Sequence, residues 1–151
     1  MQPPKLEKFI DLTVQLDPVT EMGEGRAGKR RIIPIIGGQF KGKIKGRVLS
    51  VGADWQTVFA DGLAELDTRY ALETEDGAVI EVINYGLRHG PPEIIEALAR
   101  GEDVPPDAYY MRTHARLETG DPRYHHVNRT LFVGTGQRLA SSVQITLFSL
   151  V

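Results

Sequence analysis

Strict two-residue alternation is the feature that most constrains this chain. Ile10, Leu12, Val14 and Leu16 alternate with Asp11, Thr13, Gln15 and Asp17, the pattern of a half-buried β-strand, and Pro18 ends it. The pattern returns in Leu63–Thr74 and Ala78–Leu87, joined by Glu75-Asp76-Gly77. Asp-Gly between two alternating runs is a strong hairpin signal. Further strands are expected over Arg31–Ile36, Lys41–Val51, Trp55–Phe59, Tyr109–Glu118, Tyr124–Val133 and Arg138–Val151. Glu21–Lys29 reads as a loop, Gly37-Gly38 as a break, and Gly120-Asp121-Pro122 and Gly134-Thr135-Gly136 as turns.

Roughly eight to ten strands at hairpin spacing predict an all-β fold, a closed antiparallel β-barrel. Gly42 and Gly46 inside a strand supply the curvature that closure needs. One segment departs from the alternation. Pro91–Gly101 predicts a short helix near residues 91–100, with proline in its first turn, Glu93 near its positive end and Gly101 past its end. Ile94, Ile95 and Leu98 form its apolar face. A helix this short must pack on something, and a lid or plug over one barrel mouth is expected.

A chain of 151 residues is expected to be one domain, 1–151, with a proper core. Its 41% hydrophobic and 25% charged residues argue against disorder. A net charge of −2 leaves no global field for nucleic acid or anionic membrane. The local basic strip Lys29-Arg30-Arg31 with Lys41, Lys43, Lys45 and Arg47 reads better as a solvated strand face. With no cysteine, disulfides, thiolate metal sites and a cysteine nucleophile are excluded. No apolar run reaches the roughly 18 residues of a membrane span, and Met1–Ile10 lacks the apolar stretch of a signal peptide. A cytoplasmic location is expected.

No P-loop, GxSxG, HExxH or strand-linked GxGxxG is present. His89, His114, His125 and His126 show no two-residue spacing that would set two metal ligands on one strand face. No metal and no cofactor are expected. Strand faces are more informative. Ile80, Val82, Asn84, Gly86 and Arg88 share a face that turns from apolar to polar, as a barrel with an open mouth would show. Asp67, Arg69 and Ala71 share one face, and Thr68, Tyr70 and Leu72 the other. Tyr110, Arg112, His114, Arg116 and Glu118 share a face, as do Tyr124, His126, Asn128, Thr130 and Phe132. The plain alternative is a polar face in water, which suits Tyr110–Glu118 well.

Asp54-Trp55-Gln56 is the most unusual cluster. It holds the single tryptophan, and an apolar wall beside a carboxylate raises its pKa into a range useful for acid–base work. A core tryptophan and a turn-capping aspartate are the structural alternatives.

Gly37-Gly38, Gly42, Gly46-Arg47-Val48, Gly52-Ala53-Asp54-Trp55-Gln56, Asp61-Gly62, Arg69-Tyr70, Asp76-Gly77, Asn84, Gly86 and Arg88 together make a pattern. It continues in Tyr110-Met111-Arg112-Thr113, Leu117-Glu118-Thr119, Tyr124, Asn128 and Gly134-Thr135-Gly136-Gln137-Arg138. Over nearly its whole length the chain resembles domain-of-unknown-function family 3237, also labelled uncharacterised protein family 0311. The resemblance implies a small β-barrel with a central cavity, often a homodimer, and brings no reaction. The family commonly carries Trp-Leu-Asn where this chain has His126-Val127-Asn128, which with the strand reading puts His126 at a pocket-facing position.

The expected function is small-molecule binding, with cofactor-free isomerase, lyase or lactone-hydrolase chemistry on a small cyclic or aromatic carbonyl or carboxylate compound. Asp54, Arg69 and His126 are the expected catalytic residues. Trp55, Gln56, Tyr70, Asn84, Arg88, Tyr110, Arg112 and Asn128 are the expected substrate-binding residues, the arginines pairing with a ligand oxygen. The alternative is a non-catalytic barrel that holds one ligand. An interaction module resting on edges near Pro34 and Pro105-Pro106 is a third reading.

Overall fold

A computed structural model describes residues Met1–Val151. The alternating segments become nine strands: β1 (Leu6–Leu16), β2 (Thr20–Glu24), β3 (Lys29–Gly42), β4 (Gly46–Val58), β5 (Ala64–Thr74), β6 (Val79–His89), β7 (Tyr110–Glu118), β8 (Phe132–Arg138) and β9 (Ser142–Leu150). A helix, α1 (Pro92–Ala99), follows β6, and two 3₁₀ segments cover Pro106–Ala108 and Pro122–Arg129. The antiparallel order is β1-β9-β8-β7-β6-β5-β4-β3-β2, and β1 also pairs with β3. That last pairing, with Leu12 opposite Phe40, closes an eight-strand barrel and leaves β2 as a hairpin extension. Closure removes the exposed edges that an open sheet would present. No helix is long and apolar enough to cross a membrane.

Several sequence boundaries are corrected. Glu21–Glu24 is strand, not loop, because β2 pairs with the start of β3 across Gly25–Gly28. Gly37-Gly38 bends β3 without ending it, and the turn lies at Lys43–Lys45. Trp55–Phe59 is no separate strand, since β4 runs from Gly46 through a bulge to Val58. Gly52 makes that bulge possible: its φ is +90°, and a Cβ there would meet the backbone carbonyl of Arg69.

Gly134-Thr135-Gly136 lies inside β8, and the β8–β9 turn falls at Leu139–Ser141. Gly134 and Gly136 both face inward. A Cβ at Gly134 would lie 2.5 Å from Thr113 Oγ1, and one at Gly136 2.8 Å from Met111 Cε. The glycines leave room for the β7 side chains crossing the interior. Residues 122–129 are not a strand either. Asp121 accepts a hydrogen bond from the Arg123 N–H (3.0 Å), and Asn128 clasps Thr119, accepting from its N–H (2.8 Å) and donating to its carbonyl (2.9 Å). These local bonds compete with strand pairing.

The core fills one end of the barrel. Leu72, Ile80, Val82, Leu117, Phe132 and Leu147 are buried inside, and Val127 of the second 3₁₀ segment closes that end from below. Phe9 packs on Phe132 with ring centroids 4.9 Å apart. The other end lies under α1. Leu98 buries against Ala64, Leu66, Val104, Tyr109 and Met111, with Ile94 and Ile95 partly buried beside it. Packing of this kind, rather than intrinsic propensity, holds an eight-residue helix.

Candidate functional site

Polar residues collect at the α1 end because inward-facing positions change character along the strands. On β6 the inner face runs Ile80, Val82, Asn84, Gly86, Arg88, apolar at the packed end and cationic at the mouth. The neighbouring strands supply Asp54 and Gln56 from β4, Leu66, Thr68 and Tyr70 from β5, Met111 and Thr113 from β7, and Arg138 from β8. With Val14, Leu16, Ile33, Ile35, Asn84, Arg88, Val143 and Ile145 they enclose a chamber of about 40 Å³. The chamber is small, and polar side chains from β4, β5, β6, β7 and β8 converge on it.

Asp54 is held firmly. Its carboxylate accepts from Gln56 Nε2 (2.7 Å) and from the Asp67 backbone N–H (3.0 Å). Gln56 in turn accepts from Arg31 Nη2 (2.6 Å), so a guanidinium, an amide and a carboxyl form one chain across the mouth. Burial raises the Asp54 pKa above its ordinary value, outweighing hydrogen bonds from Gln56, Thr68 and Asp67 and the charge of Arg88. Arg88 is 8% exposed. Burial lowers its pKa to about 10, helped by repulsion from Arg31 and Arg138 and opposed by Asp54. Burial also lowers that of Arg138 and raises that of the Tyr70 phenol.

Five buried side-chain polar atoms in the protein lack a hydrogen-bond partner: Arg31 Nε, Tyr70 Oη, Asn84 Oδ1, Arg88 Nε and Thr113 Oγ1. Tyr70, Asn84, Arg88 and Thr113 all line the chamber, and Arg31 reaches it through Gln56. An unmet buried polar group costs about 1–3 kcal/mol. Four of them border one small space whose remaining lining is largely apolar, a combination that suits a ligand carrying a polar group.

The structure therefore brings together Asp54, Gln56, Tyr70, Asn84 and Arg88 from the expected set. It places the others elsewhere. Arg69 and Trp55 point outward, Trp55 being 44% exposed. Tyr110 and Arg112 lie on the outer face of β7, where Tyr110 stacks on His89 (4.7 Å) and Arg112 sits over its ring (5.4 Å). The inner face of β7 is instead Met111, Thr113, Ala115 and Leu117. His126 and Asn128 are at the far end in the 3₁₀ segment, His126 edge-on to Phe9 (6.1 Å) and Asn128 bound to Thr119. The pocket-facing position expected for His126 required a strand over 124–133 that does not form.

Thr68, Met111, Thr113 and Arg138 line the chamber and Arg31 reaches it through Gln56, all outside the expected set of site residues. Phe132, Gly134, Gly136 and Arg138 share one strand face, a legible signal once the glycines are read as strand residues. No three His, Asp or Glu side chains converge to hold a metal ion.

The family described as "Protein of unknown function (DUF3237)" matches residues 4–150. The chain belongs to that family. A UPF0311 protein of Rhodopseudomonas palustris is 48% identical over 145 residues, which are 94% of this chain and 95% of its own. The crystal structure of that conserved protein of unknown function superposes with a TM-score of 0.94, covering both chains in full. A β-barrel-like protein of Acinetobacter baumannii is 47% identical with a TM-score of 0.88, covering 100% of this chain and 98% of its own. A more distant neighbour, described as an enzyme from Penicillium herquei, has a TM-score of 0.75 at 19% identity, covering 100% of this chain and 97% of its own. At that identity the likeness extends to the fold.

Proposed function

We propose that this DUF3237 barrel binds a small organic molecule through an acidic or carbonyl oxygen and transforms it by cofactor-free acid–base chemistry. The reaction type is isomerase, lyase or lactone hydrolase, on a small cyclic or aromatic carbonyl or carboxylate compound. One observation carries the reading: a carboxyl group of raised pKa, Asp54, shares a small chamber with the unpartnered Arg88 Nε, Tyr70 Oη, Asn84 Oδ1 and Thr113 Oγ1.

In this reading Arg88 takes the ligand oxygen by a charge-assisted hydrogen bond, with Arg31 and Arg138 adding positive potential. The cations stabilise an enolate or oxyanion as its charge develops. Asp54 moves the proton. Its raised pKa brings it nearer to neutral, where a general acid or base works best. Gln56 and the Asp67 N–H fix the carboxyl plane, and Tyr70 and Asn84 orient the ligand. The Penicillium neighbour makes catalysis compatible with the architecture, although a fold hosts many functions.

A non-catalytic binding barrel is the second reading. The hydrogen bonds on both Asp54 oxygens favour it, since a carboxylate so engaged also serves to position arginines. A metabolite-pool thermal-shift screen, followed by kinetics with the compounds that bind, separates the two. Catalysis predicts turnover that falls at least about 100-fold in Asp54→Asn, the size of a general acid–base contribution, with a pH profile tracking Asp54. Binding without turnover, or full turnover in the variant, removes the catalytic role.

A further inference from the structure

Outside the chamber, a second space lies between α1 and the barrel mouth. It has a volume of about 220 Å³, and its apolar lining includes Val19, Ile33, Val58, Ala64, Ile95 and Leu98. Ile33, Arg88 and Arg138 border both spaces. The cleft and the chamber therefore share the arginines as a common border, and the cleft is the larger of the two.

We propose that this cleft is a second subsite, which takes the apolar body of a ligand whose acidic head enters the chamber. The natural ligand class is then an amphipathic organic acid, with an alkyl or aryl body attached to a carboxylate, enolate or phenolate oxygen, rather than a compact polar metabolite. This rests on the reading of the chamber as a ligand site.

Three observations carry it. The chamber's roughly 40 Å³ is less than a fifth of the cleft's 220 Å³, so the bulk of a cyclic or aromatic ligand is better housed in the cleft, which borders the chamber at Ile33, Arg88 and Arg138. The charge is one-sided: Arg31, Arg88 and Arg138 repel one another across the mouth, with Asp54 the carboxylate opposing them. An anionic head at that level relieves the imbalance. Finally, α1 does not spend its whole apolar face on the core. Leu98 is buried, while Ile95 stays half-exposed and turned to the cleft. A ligand body bridging Ile95, Val58 and Val19 would cover it.

A homologous carboxylate series tests this: acetate, butanoate, hexanoate, benzoate and 2-naphthoate, titrated into the full-length protein and followed by amide chemical shifts. Affinity is expected to climb along the series, by up to about fourfold per methylene that becomes fully buried. Hexanoate and 2-naphthoate should move the amides of residues 92–101, and acetate should move only those around Arg88 and Asn84. Ile95→Asp makes the cleft polar and Ile95→Trp fills it. Both should bring the hexanoate-to-acetate affinity ratio towards one, and the amide spectrum of each variant reports whether the barrel is intact. A flat series, or a ratio that neither variant changes, overturns the second subsite while Arg88-dependent acetate binding leaves the chamber reading standing. Carboxylate binding that persists unchanged in Arg88→Met would instead remove the chamber reading, and the subsite with it.

Discussion

Asp54 and Arg88 are costly residues for a barrel interior, and that cost makes predictions at the residue scale. Burial favours the uncharged Asp54. A carboxyl whose folded pKa is raised contributes stability in full below its ordinary value of 3.8, and this is lost as pH rises through the folded value. The amide introduced by Asp54→Asn cannot ionise. The stability of that variant relative to wild type should therefore improve between pH 4 and pH 7, read from urea midpoints at the two pH values. A difference that does not change with pH would mean that Asp54 titrates as an ordinary carboxyl. Arg88 carries a buried guanidinium with an unpartnered Nε, repelled by Arg31 and Arg138 and attracted by Asp54. Replacing buried charge by a well-packed apolar side chain is often neutral or stabilising, by about 1–4 kcal/mol. Arg88→Met should thus unfold at equal or higher denaturant while losing carboxylate binding, a trade of function against stability. Marked destabilisation would make Arg88 a structural residue.

At the scale of the element, β8 shows how a missing side chain shapes the site. Gly134 and Gly136 sit on the inner face, and the space they leave is taken by Thr113 and Met111. A methyl at Gly134 must displace Thr113 Oγ1 at 2.5 Å and Leu147 Cδ2 at 3.0 Å. Gly134→Ala should destabilise the protein by about 1–3 kcal/mol, as overpacking does, and should perturb the Thr113 amide signal. Equal stability with an unmoved Thr113 signal would show that the interior has slack. The same strand marks where the sequence is hard to read. Gly134-Thr135-Gly136 carries the local signature of a turn, and only the neighbouring side chains reveal why glycine stands at alternate positions of a strand. Residues 122–129 mislead in the opposite way. Tyr124, His126 and Asn128 alternate as a strand would, but Asp121 and Asn128 satisfy the backbone locally. By contrast, the β5–β6 hairpin and α1 carry their own turn and terminal residues, and both form close to where the sequence puts them.

For the whole molecule, the decisive event is closure of β1 on β3. Gly38 lies in that seam opposite Val14, with φ +133°. A Cβ there would run into the Thr13 carbonyl. Gly38→Ala combines backbone strain with a backbone collision, and should cost about 3 kcal/mol or more. A variant within about 0.5 kcal/mol of wild type in urea unfolding would show that the seam can relax. Closure also creates the chamber, because residues from β4, β5, β6, β7 and β8 face one another only when the sheet has curled round.

Local sequence determined the strands of the β5–β6 hairpin, the short helix and the two sets of residues that each strand separates. It also marked the face running from Ile80 to Arg88, which is the wall of the chamber. What period two cannot state is which set faces inward when both carry charge. Arg88 and Arg112 look alike in sequence. Arg88 shares its face with Ile80 and Val82 and is drawn into the barrel with them, whereas Arg112 shares its face with Tyr110, His114 and Arg116 and stays in water. The placing of Arg31 and Arg138 beside Arg88, and of Asp54 among them, was decided by tertiary structure alone. Strand register and closure set those distances, and no local property of the chain encodes them.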